Sequence, residues 1–293
     1  GKIVRIVDVT AKATEAEVLI PEGDDMIVTS FYRAPPSLLA TENRIYVTYQ
    51  MGGPSEIRVF DRVGKPAAKL KQLDVGSVGG MTHLAGDDIL FRNSSYVEPT
   101  GWYHVQSGDT VTTTKTKLST TSPVRFDDVV VSREFATSQD GTKVPLNIQR
   151  PKSVAGPGPL ILNGYGGYGV NIAPRFKSAH KVLFEQGVTF VVANLRGGGE
   201  YGEAWQLGGN LTKKQNVFDD FYAVAKHLID KGYTTSDQLA IIGGSNGGLL
   251  MGATMTQHPN LVKCVVSHVG IYDMLRVELS PNGVFNIPEF GSV

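Results

Sequence analysis

The sequence is poor in several features that mark particular classes of protein. Its single cysteine, Cys264, excludes an internal disulfide, and the apolar neighbours of Cys264 predict a buried thiol. The 28 basic and 28 acidic residues leave no net charge, which gives no support for binding nucleic acid or an anionic membrane surface. No apolar run reaches the roughly 18 residues of a membrane-spanning helix. No group of His, Cys and carboxylate residues has metal-ligand spacing, so we expect no metal and no cofactor.

The composition is typical of a globular protein, and the two parts of the chain differ in their predicted secondary structure. Of the 293 residues, 41% are hydrophobic and 19% are charged, which is typical of folded domains. Residues 1–122 predict short strands separated by glycine-rich turns, with no helical periodicity, and this favours a sandwich, barrel or propeller. The clearest predicted strands are Arg44–Tyr49, Ile57–Asp61, Asp88–Phe91 and Trp102–Val105.

From residue 123 onward the pattern changes to strands that alternate with helices. A hairpin around Asp140-Gly141 comes first, and apolar strands follow. A helix is predicted from Asn216, as its N-cap, to a stop at Gly232. This alternation favours a mostly parallel α/β sheet with its active site at the carboxyl ends of the strands. The predicted strands are Val129–Phe135, Val144–Gln149, Leu160–Asn163, Val188–Asn194, Leu239–Gly243 and Val262–His268.

A candidate nucleophile lies between two of these elements. The run Gly243-Gly244-Ser245-Asn246-Gly247 fits the pattern G-x-S-x-G, which is weak evidence alone. Here a buried strand precedes it and an apolar helix follows directly, which is the setting of a nucleophile elbow. We therefore expect Ser245 to be the nucleophile and the N–H of Asn246 to be an oxyanion donor. The alternative is a glycine-rich turn with a solvated serine.

A second oxyanion donor is expected from the loop after an earlier strand. The strand Leu160–Asn163 is followed by Gly164-Tyr165-Gly166-Gly167-Tyr168-Gly169, a glycine loop with two tyrosines. Without further context, tyrosines that pack on the core are the more ordinary interpretation.

Three segments together resemble the prolyl oligopeptidase family. They are Gly164-Tyr165-Gly166-Gly167, the run from Asn194 to Gly202, and Gly243-Gly244-Ser245-Asn246-Gly247-Gly248, in the family's order. The resemblance is strong over 123–293 and weaker upstream, where 91–99 looks like part of the last propeller blade. It implies a partial β-propeller of two or three blades in residues 1–122 and an α/β-hydrolase domain in 123–293. In that family the propeller admits peptides and excludes folded proteins.

The resemblance also implies roles for particular residues. Tyr165 matches a tyrosine whose hydroxyl is the second oxyanion donor. The expected walls of the pocket for the residue before the cut are Tyr168, Val269, Ile271 and Phe290. Asn286 stands where many members have a tryptophan that stacks on proline, unless the alignment slips by one to Phe285.

Other polar residues near these motifs are expected to be structural. Arg196 and Glu200 are interpreted as an ion-pair or hydrogen-bonding feature of their loop, and Asp219 and Asp220 as first-turn carboxylates facing the helix dipole. In this fold the chain order is Ser, acid, His. His258 is expected at a helix end and His268 in the core, while Asp273 follows the last strand. We therefore expect the catalytic Asp and His beyond Val293, and a sequence that is a fragment at both ends.

The leading functional hypothesis is a serine peptidase that cleaves short peptides after proline through an acyl-enzyme on Ser245. Acylaminoacyl peptidase, oligopeptidase B and carboxylesterase activities on the same fold are alternatives, as is a non-catalytic binding protein. The expected partner is a short peptide, without nucleic acid or membrane, and the full-length protein is expected to be a monomer. A cytoplasmic location is expected, or a periplasmic one if a signal peptide has been lost.

Overall fold

The computed structural model describes residues 1–6, 12–28, 37–108 and 110–292. The chain forms two compact units, and each is described by itself. One unit comprises Gly1–Ser122 together with Ala173–Phe176. The other comprises Pro123–Ile172 and Lys177–Val293.

The first unit is built from antiparallel strands. Strands β1 and β2 form a pair, β3, β5, β6 and β7 form a sheet with β4 added on β5, and β8 to β11 form a four-stranded meander. The two larger sheets share a core, in which Tyr46 and Phe91 are fully buried. The predicted all-β character of this segment is therefore confirmed. The strands are β1 Ile3–Arg5, β2 Glu17–Ile20, β3 Met26–Ile27, β4 Leu38–Ala40, β5 Arg44–Gln50, β6 Ser55–Asp61, β7 Pro66–Ala68, β8 Gly76–His83, β9 Ile89–Ser95, β10 Gly101–Gln106 and β11 Thr112–Ser119.

The second unit has one six-stranded sheet in the order β12-β13-β15-β14-β16-β17. The hairpin β12–β13 joins β15 in antiparallel fashion, and β15, β14, β16 and β17 run parallel to one another. The mostly parallel α/β fold predicted from the sequence is confirmed. The strands are β12 Val129–Thr137, β13 Lys143–Pro151, β14 Leu160–Asn163, β15 Thr189–Ala193, β16 Leu239–Gly244 and β17 Cys264–His268, and the helices are α1 His180–Glu185, α2 Glu203–Leu207, α3 Gln215–Asp230, α4 Asn246–Gln257 and α5 Ile287–Phe290.

Helix α3 covers one face of this sheet with an apolar stripe. Phe221, Val224 and Leu228 are fully buried in the same core cluster as residues from the sheet. The helix stops where expected, since Gly232 adopts a φ of +74° directly after it. The predicted N-cap is wrong, because Asn216 lies inside the helix. Its side-chain amide donates to the carbonyl of Gly208 instead, at 2.9 Å.

Two residues of β17 were expected in the core, and both expectations are wrong. Cys264 and His268 are exposed. Strand β17 is the outermost strand of the described sheet, and α4 packs against one of its faces. Because side chains alternate along a strand, Cys264 and His268 share the other face, which the described residues leave open.

Two kinds of feature are absent from the described residues. None of the helices there has the length and apolar character needed to cross a membrane. No group of three or more His, Cys, Asp or Glu residues in these ranges is arranged to hold a metal ion.

Candidate active site

Ser245 occupies a sharp turn between strand β16 and helix α4. Its backbone has φ +58° and ψ −120°, a conformation that is strained for a residue with a side chain. The Ser245 N–H donates to the carbonyl of His268 on the neighbouring strand, at 2.9 Å. The Ser245 carbonyl accepts from Gly248 at 2.9 Å and so begins the helix. The turn therefore presents an exposed serine at the carboxyl end of a parallel strand.

The glycines around Ser245 are required by close backbone contacts. A Cβ on Gly243 would lie 2.4 Å from the carbonyl oxygen of Gly247. A Cβ on Gly247 would in turn lie 2.7 Å from the carbonyl oxygen of Gly164, in the glycine loop after β14. Side chains at these positions would push the strand, the helix and the loop apart.

Two hydrogen-bond donors lie beside the serine. Asn246 is the first residue of α4, so its backbone N–H has no acceptor within the helix. The Tyr165 hydroxyl lies near the Ser245 side chain, which acts to lower the pKa of Tyr165. Burial raises the pKa of Tyr165 by more than the nearby Ser245 side chain lowers it. Tyr165 therefore keeps its proton near neutral pH, and its hydroxyl can donate a hydrogen bond to an acceptor.

The Asn246 side chain has a role that the sequence motif does not reveal. It is buried, and its amide donates to the carbonyl of Tyr165 at 2.6 Å. This bond ties the glycine loop to the serine turn, so the two predicted oxyanion elements are held together by a side chain that lies in the G-x-S-x-G run.

Three of the predicted pocket residues are brought together. The Tyr168 hydroxyl donates to the side-chain oxygen of Asn286 at 2.7 Å, and the Tyr168 ring meets the Phe290 ring edge-on, with centroids 6.0 Å apart. Burial, and then the negative charge of Glu289, raise the pKa of Tyr168 to about 12. Tyr168 and Phe290 therefore form an aromatic pair, and the Asn286 side chain lies against the hydroxyl end of Tyr168.

The remaining pocket predictions are placed differently. Asn286, which accepts the Tyr168 hydrogen bond, is 5% exposed, whereas the neighbouring Phe285 is 75% exposed. Val269 follows β17 with a φ of +44° and is 85% exposed, so it is not covered as a pocket wall in the described structure. Ile271, two residues further on, is half-buried.

A buried ion pair holds the arginine–glycine loop. The Arg196 guanidinium donates to both carboxylate oxygens of Asp220, at 2.6 and 2.9 Å, and also contacts Asp140. Burial alone would lower the pKa of Arg196, but hydrogen bonds to Asp220 and Asp140 more than offset this effect and raise it. Arg196 has the structural role expected from the sequence. The interpretation of Asp219 and Asp220 as first-turn carboxylates is wrong, because both lie beyond the first turn of α3 and the fully buried carboxylate of Asp220 binds Arg196.

Glu200 is also buried, but without a cationic partner. One carboxyl oxygen accepts from the Asn194 side chain and from the N–H of Ile172, both at 3.1 Å. The other oxygen has no hydrogen-bond partner. Burial raises the pKa of Glu200 to about 7.

A second buried ion pair was missed altogether. Lys214, just before α3, binds the carboxylate of Glu289 in α5 at 2.6 Å. These residues are 75 positions apart and belong to no recognised motif. A lysine ahead of a helix and a glutamate in a short apolar segment give no sequence signal of pairing.

His258 and Asp273, which follow Ser245 in the chain, have partners other than Ser245. The His258 ring stacks on Tyr222 with centroids 4.0 Å apart, at the end of α4 as predicted. Asp273 pairs with Arg276 at 2.6 Å. Within the part of the chain that the structure describes, no histidine ring hydrogen bonds to the Ser245 hydroxyl.

This geometry defines a class of protein. A serine on a strained strand–turn–helix junction, at the carboxyl end of a parallel strand and next to a helix N-terminus, is the nucleophile elbow of the α/β-hydrolase fold. The all-β first unit is an addition to that fold.

Comparison with known proteins identifies the family. The description "Prolyl oligopeptidase family" matches residues 174–291, and "Prolyl oligopeptidase, N-terminal beta-propeller domain" matches residues 1–119. The chain belongs to the prolyl oligopeptidase family and contains parts of its β-propeller and α/β-hydrolase domains.

Individual relatives agree with this assignment. A prolyl endopeptidase of Elizabethkingia miricola is 36% identical over 238 residues, which cover 79% of this chain and 33% of that protein. A prolyl endopeptidase of Dictyostelium discoideum is 36% identical over 94% of this chain and 36% of its own length. A solved structure from a study of two prolyl endopeptidases superposes with a TM-score of 0.86 at 34% identity, covering 99% of this chain and 42% of that one. The chain thus spans about a third of the length of these curated relatives.

Proposed function

We propose that the protein is a serine peptidase that hydrolyses short peptides, with cleavage after proline, through an acyl-enzyme on Ser245. The observation that carries this proposal is the exposed Ser245 side chain on its strained turn, to which the Asn246 amide ties the Tyr165 loop through a hydrogen bond of 2.6 Å. Relatives that are named prolyl endopeptidases support the same reaction and substrate class.

In the proposed mechanism, the Ser245 oxygen attacks the carbonyl carbon of the scissile peptide while a histidine takes the hydroxyl proton. The resulting oxyanion accepts hydrogen bonds from the Asn246 N–H and the Tyr165 hydroxyl. Collapse of this intermediate, with proton transfer to the nitrogen, releases the amine and leaves an ester on Ser245. Water then attacks the ester, assisted by the same base, and restores the serine. We assign the histidine and its acid to parts of the polypeptide other than the described residues.

The pocket proposal depends on Tyr168, Phe290 and Asn286. The two aromatic rings offer apolar surface to a proline ring. Asn286 offers no ring for stacking, and its side-chain oxygen already accepts a hydrogen bond from the Tyr168 hydroxyl. We therefore propose proline cleavage with relaxed discrimination against alanine. A basic side chain before the cut has less support, because the nearby carboxylate of Glu289 is already paired with Lys214.

The test compares two tyrosines of the same loop in the protein expressed from its complete coding region. Ser245→Ala should abolish turnover of a fluorogenic peptide with proline before the cut, because a methyl group cannot attack a carbonyl. Tyr165→Phe should lower kcat by roughly 10²-fold, the usual loss for one oxyanion donor.

Tyr168→Phe is the matched control for that loss. It removes a hydroxyl that bonds to Asn286 rather than to Ser245, so kcat should be largely retained while KM or the proline preference changes. If Tyr165→Phe leaves kcat unchanged and raises only KM, Tyr165 is a pocket wall. If the wild-type protein shows no turnover and no labelling by a fluorophosphonate, a non-catalytic binding role replaces the proposal.

A further inference from the structure

The glycine loop that carries Tyr165 is held by contacts at that residue and at the residues that follow it. The Tyr165 carbonyl accepts from Asn246, as described above. The next carbonyl, that of Gly166, accepts from the Lys214 ammonium at 2.9 Å. The backbone N–H of Tyr168 donates to a carboxylate oxygen of Glu289 at 2.7 Å. Three successive contacts therefore fix the path of the backbone that places the Tyr165 hydroxyl.

Lys214 and Glu289 act on this loop as one unit. Each binds the loop with one contact and its partner with another, since the Lys214 nitrogen lies 2.6 Å from the second Glu289 oxygen. Their side chains are 12% and 2% exposed. Burial lowers the pKa of Lys214, and the charge of Glu289 opposes this shift.

Stability alone is a weak explanation for such a pair. Taking two charges out of water costs about as much as their attraction returns, so a buried ion pair often adds little to folding. What it does supply is geometry, because both groups are bonded twice. The fit is also close: a Cβ on Gly167 would lie 2.8 Å from the Glu289 carboxylate.

We infer that Lys214 and Glu289 are positioning residues for the oxyanion site, which fix the loop so that the Tyr165 hydroxyl stays directed at the carbonyl under attack. The inference rests on the proposed peptidase function. Neither side chain touches the reacting atoms; both act through Tyr165. A displacement of about 1 Å at a catalytic group can cost roughly 10²-fold in rate, so small movements of this loop matter.

The experiment measures kcat and KM of the protein expressed from its complete coding region, for Glu289→Gln, Lys214→Gln and the double variant. Rates are normalised to active sites titrated with a fluorophosphonate, so that loss of folded protein does not count as loss of rate. Each single variant leaves one buried charge without its partner, and kcat should fall about 10- to 100-fold with a smaller change in KM. The double variant replaces the pair by two amides that can bond to each other and to the loop, and it should recover most of kcat.

If Glu289 acts by positioning Tyr165, the loss of kcat in Glu289→Gln should require the Tyr165 hydroxyl. A purely structural role would lower kcat whether or not that hydroxyl is present. In a Tyr165→Phe background, Glu289→Gln should lower kcat little further, because the hydroxyl that it positions is already absent. A matched control is Lys226→Gln, which breaks an exposed ion pair with Asp230 on the same helix and should leave kcat unchanged.

The outcomes are distinct. An inactive wild-type protein that is not labelled at Ser245 overturns the peptidase proposal, and the inference falls with it. If the wild type is active and Glu289→Gln keeps its kcat per labelled site, the inference alone is overturned. It is also overturned if Glu289→Gln lowers kcat by the same factor with and without Tyr165→Phe. If Glu289→Gln does not fold, Lys214→Gln with and without Tyr165→Phe makes the same comparison.

Discussion

Replacement of Asp220 by alanine should lower the free energy of unfolding by about 3–5 kcal/mol, the usual cost of removing one partner from a buried ion pair. The Asp220 carboxylate is fully buried and accepts three hydrogen bonds from Arg196, at 2.6, 2.9 and 3.2 Å. The Arg196 side chain is 8% exposed. After the change its charge would remain in the interior with the half-exposed Asp140 as its remaining carboxylate partner, and the backbone N–H of Arg196 would lose its acceptor.

The assay is thermal or urea unfolding of the wild type and the variant. For a domain of this size each kcal/mol corresponds to about 2–4 °C, so the midpoint should fall by about 6–20 °C. Asp219→Ala is the matched control, because the neighbouring carboxylate bonds at the surface to Gln215 and its loss should cost less than about 0.5 kcal/mol. Replacing Arg196 by Met and Asp220 by Leu together should recover much of the loss. A cost below about 1 kcal/mol for Asp220→Ala, or an equal cost for Asp219→Ala, would refute the reasoning.

Three further predictions concern pH, specificity and reactivity. The pKa of Glu200 is about 7 in the folded state against 4.5 ordinarily, so the folded protein keeps a proton that the unfolded chain releases. The free energy of unfolding should therefore fall by about 3 kcal/mol as pH rises from about 4.5 to 7, and urea titrations of Glu200→Gln should lack this component; an identical pH profile would contradict it. Asn286→Trp should raise the preference for proline over alanine in relative kcat/KM by roughly 10–200-fold, and an unchanged ratio would reject the assignment of Asn286 to the pocket. Residues 1–293 expressed alone should not be labelled by a fluorophosphonate, since the described residues bring no imidazole to Ser245; stoichiometric labelling would show that a base exists within them.

Much of the fold was predictable because its signals are local. The apolar runs of β14 and β16 read as buried parallel strands, and their predicted bounds agree with the structure to within one residue. The Ser245 turn was also predictable, since the contact between Gly243 and Gly247 involves residues four positions apart. Steric limits of this kind involve residues that are close in sequence. The turn therefore forms wherever the flanking strand and helix form.

Errors arose where burial depends on neighbours in space. Cys264 and His268 belong to an apolar segment, yet they lie on the uncovered face of the outermost described strand. Asn216 has the character of an N-cap, but the helix begins one residue earlier and its amide bonds to Gly208. Periodicity shows that a segment has an apolar face, but it does not show what packs against that face.

The amino-acid order was sufficient to predict an all-β segment followed by an α/β segment, the position of Ser245 between a strand and a helix, and the position of the tyrosine loop after β14, because each depends on a short motif or a regular pattern. The choice of partners for buried charges was decided by the tertiary structure. Asp219 and Asp220 are alike in sequence, and the helical turn of about 100° between adjacent residues directs one to solvent and the other to Arg196. Lys214 and Glu289 meet only because the fold closes a 75-residue separation. A buried charge needs a counter-charge within a few ångströms, and the fold alone determines which residue supplies it.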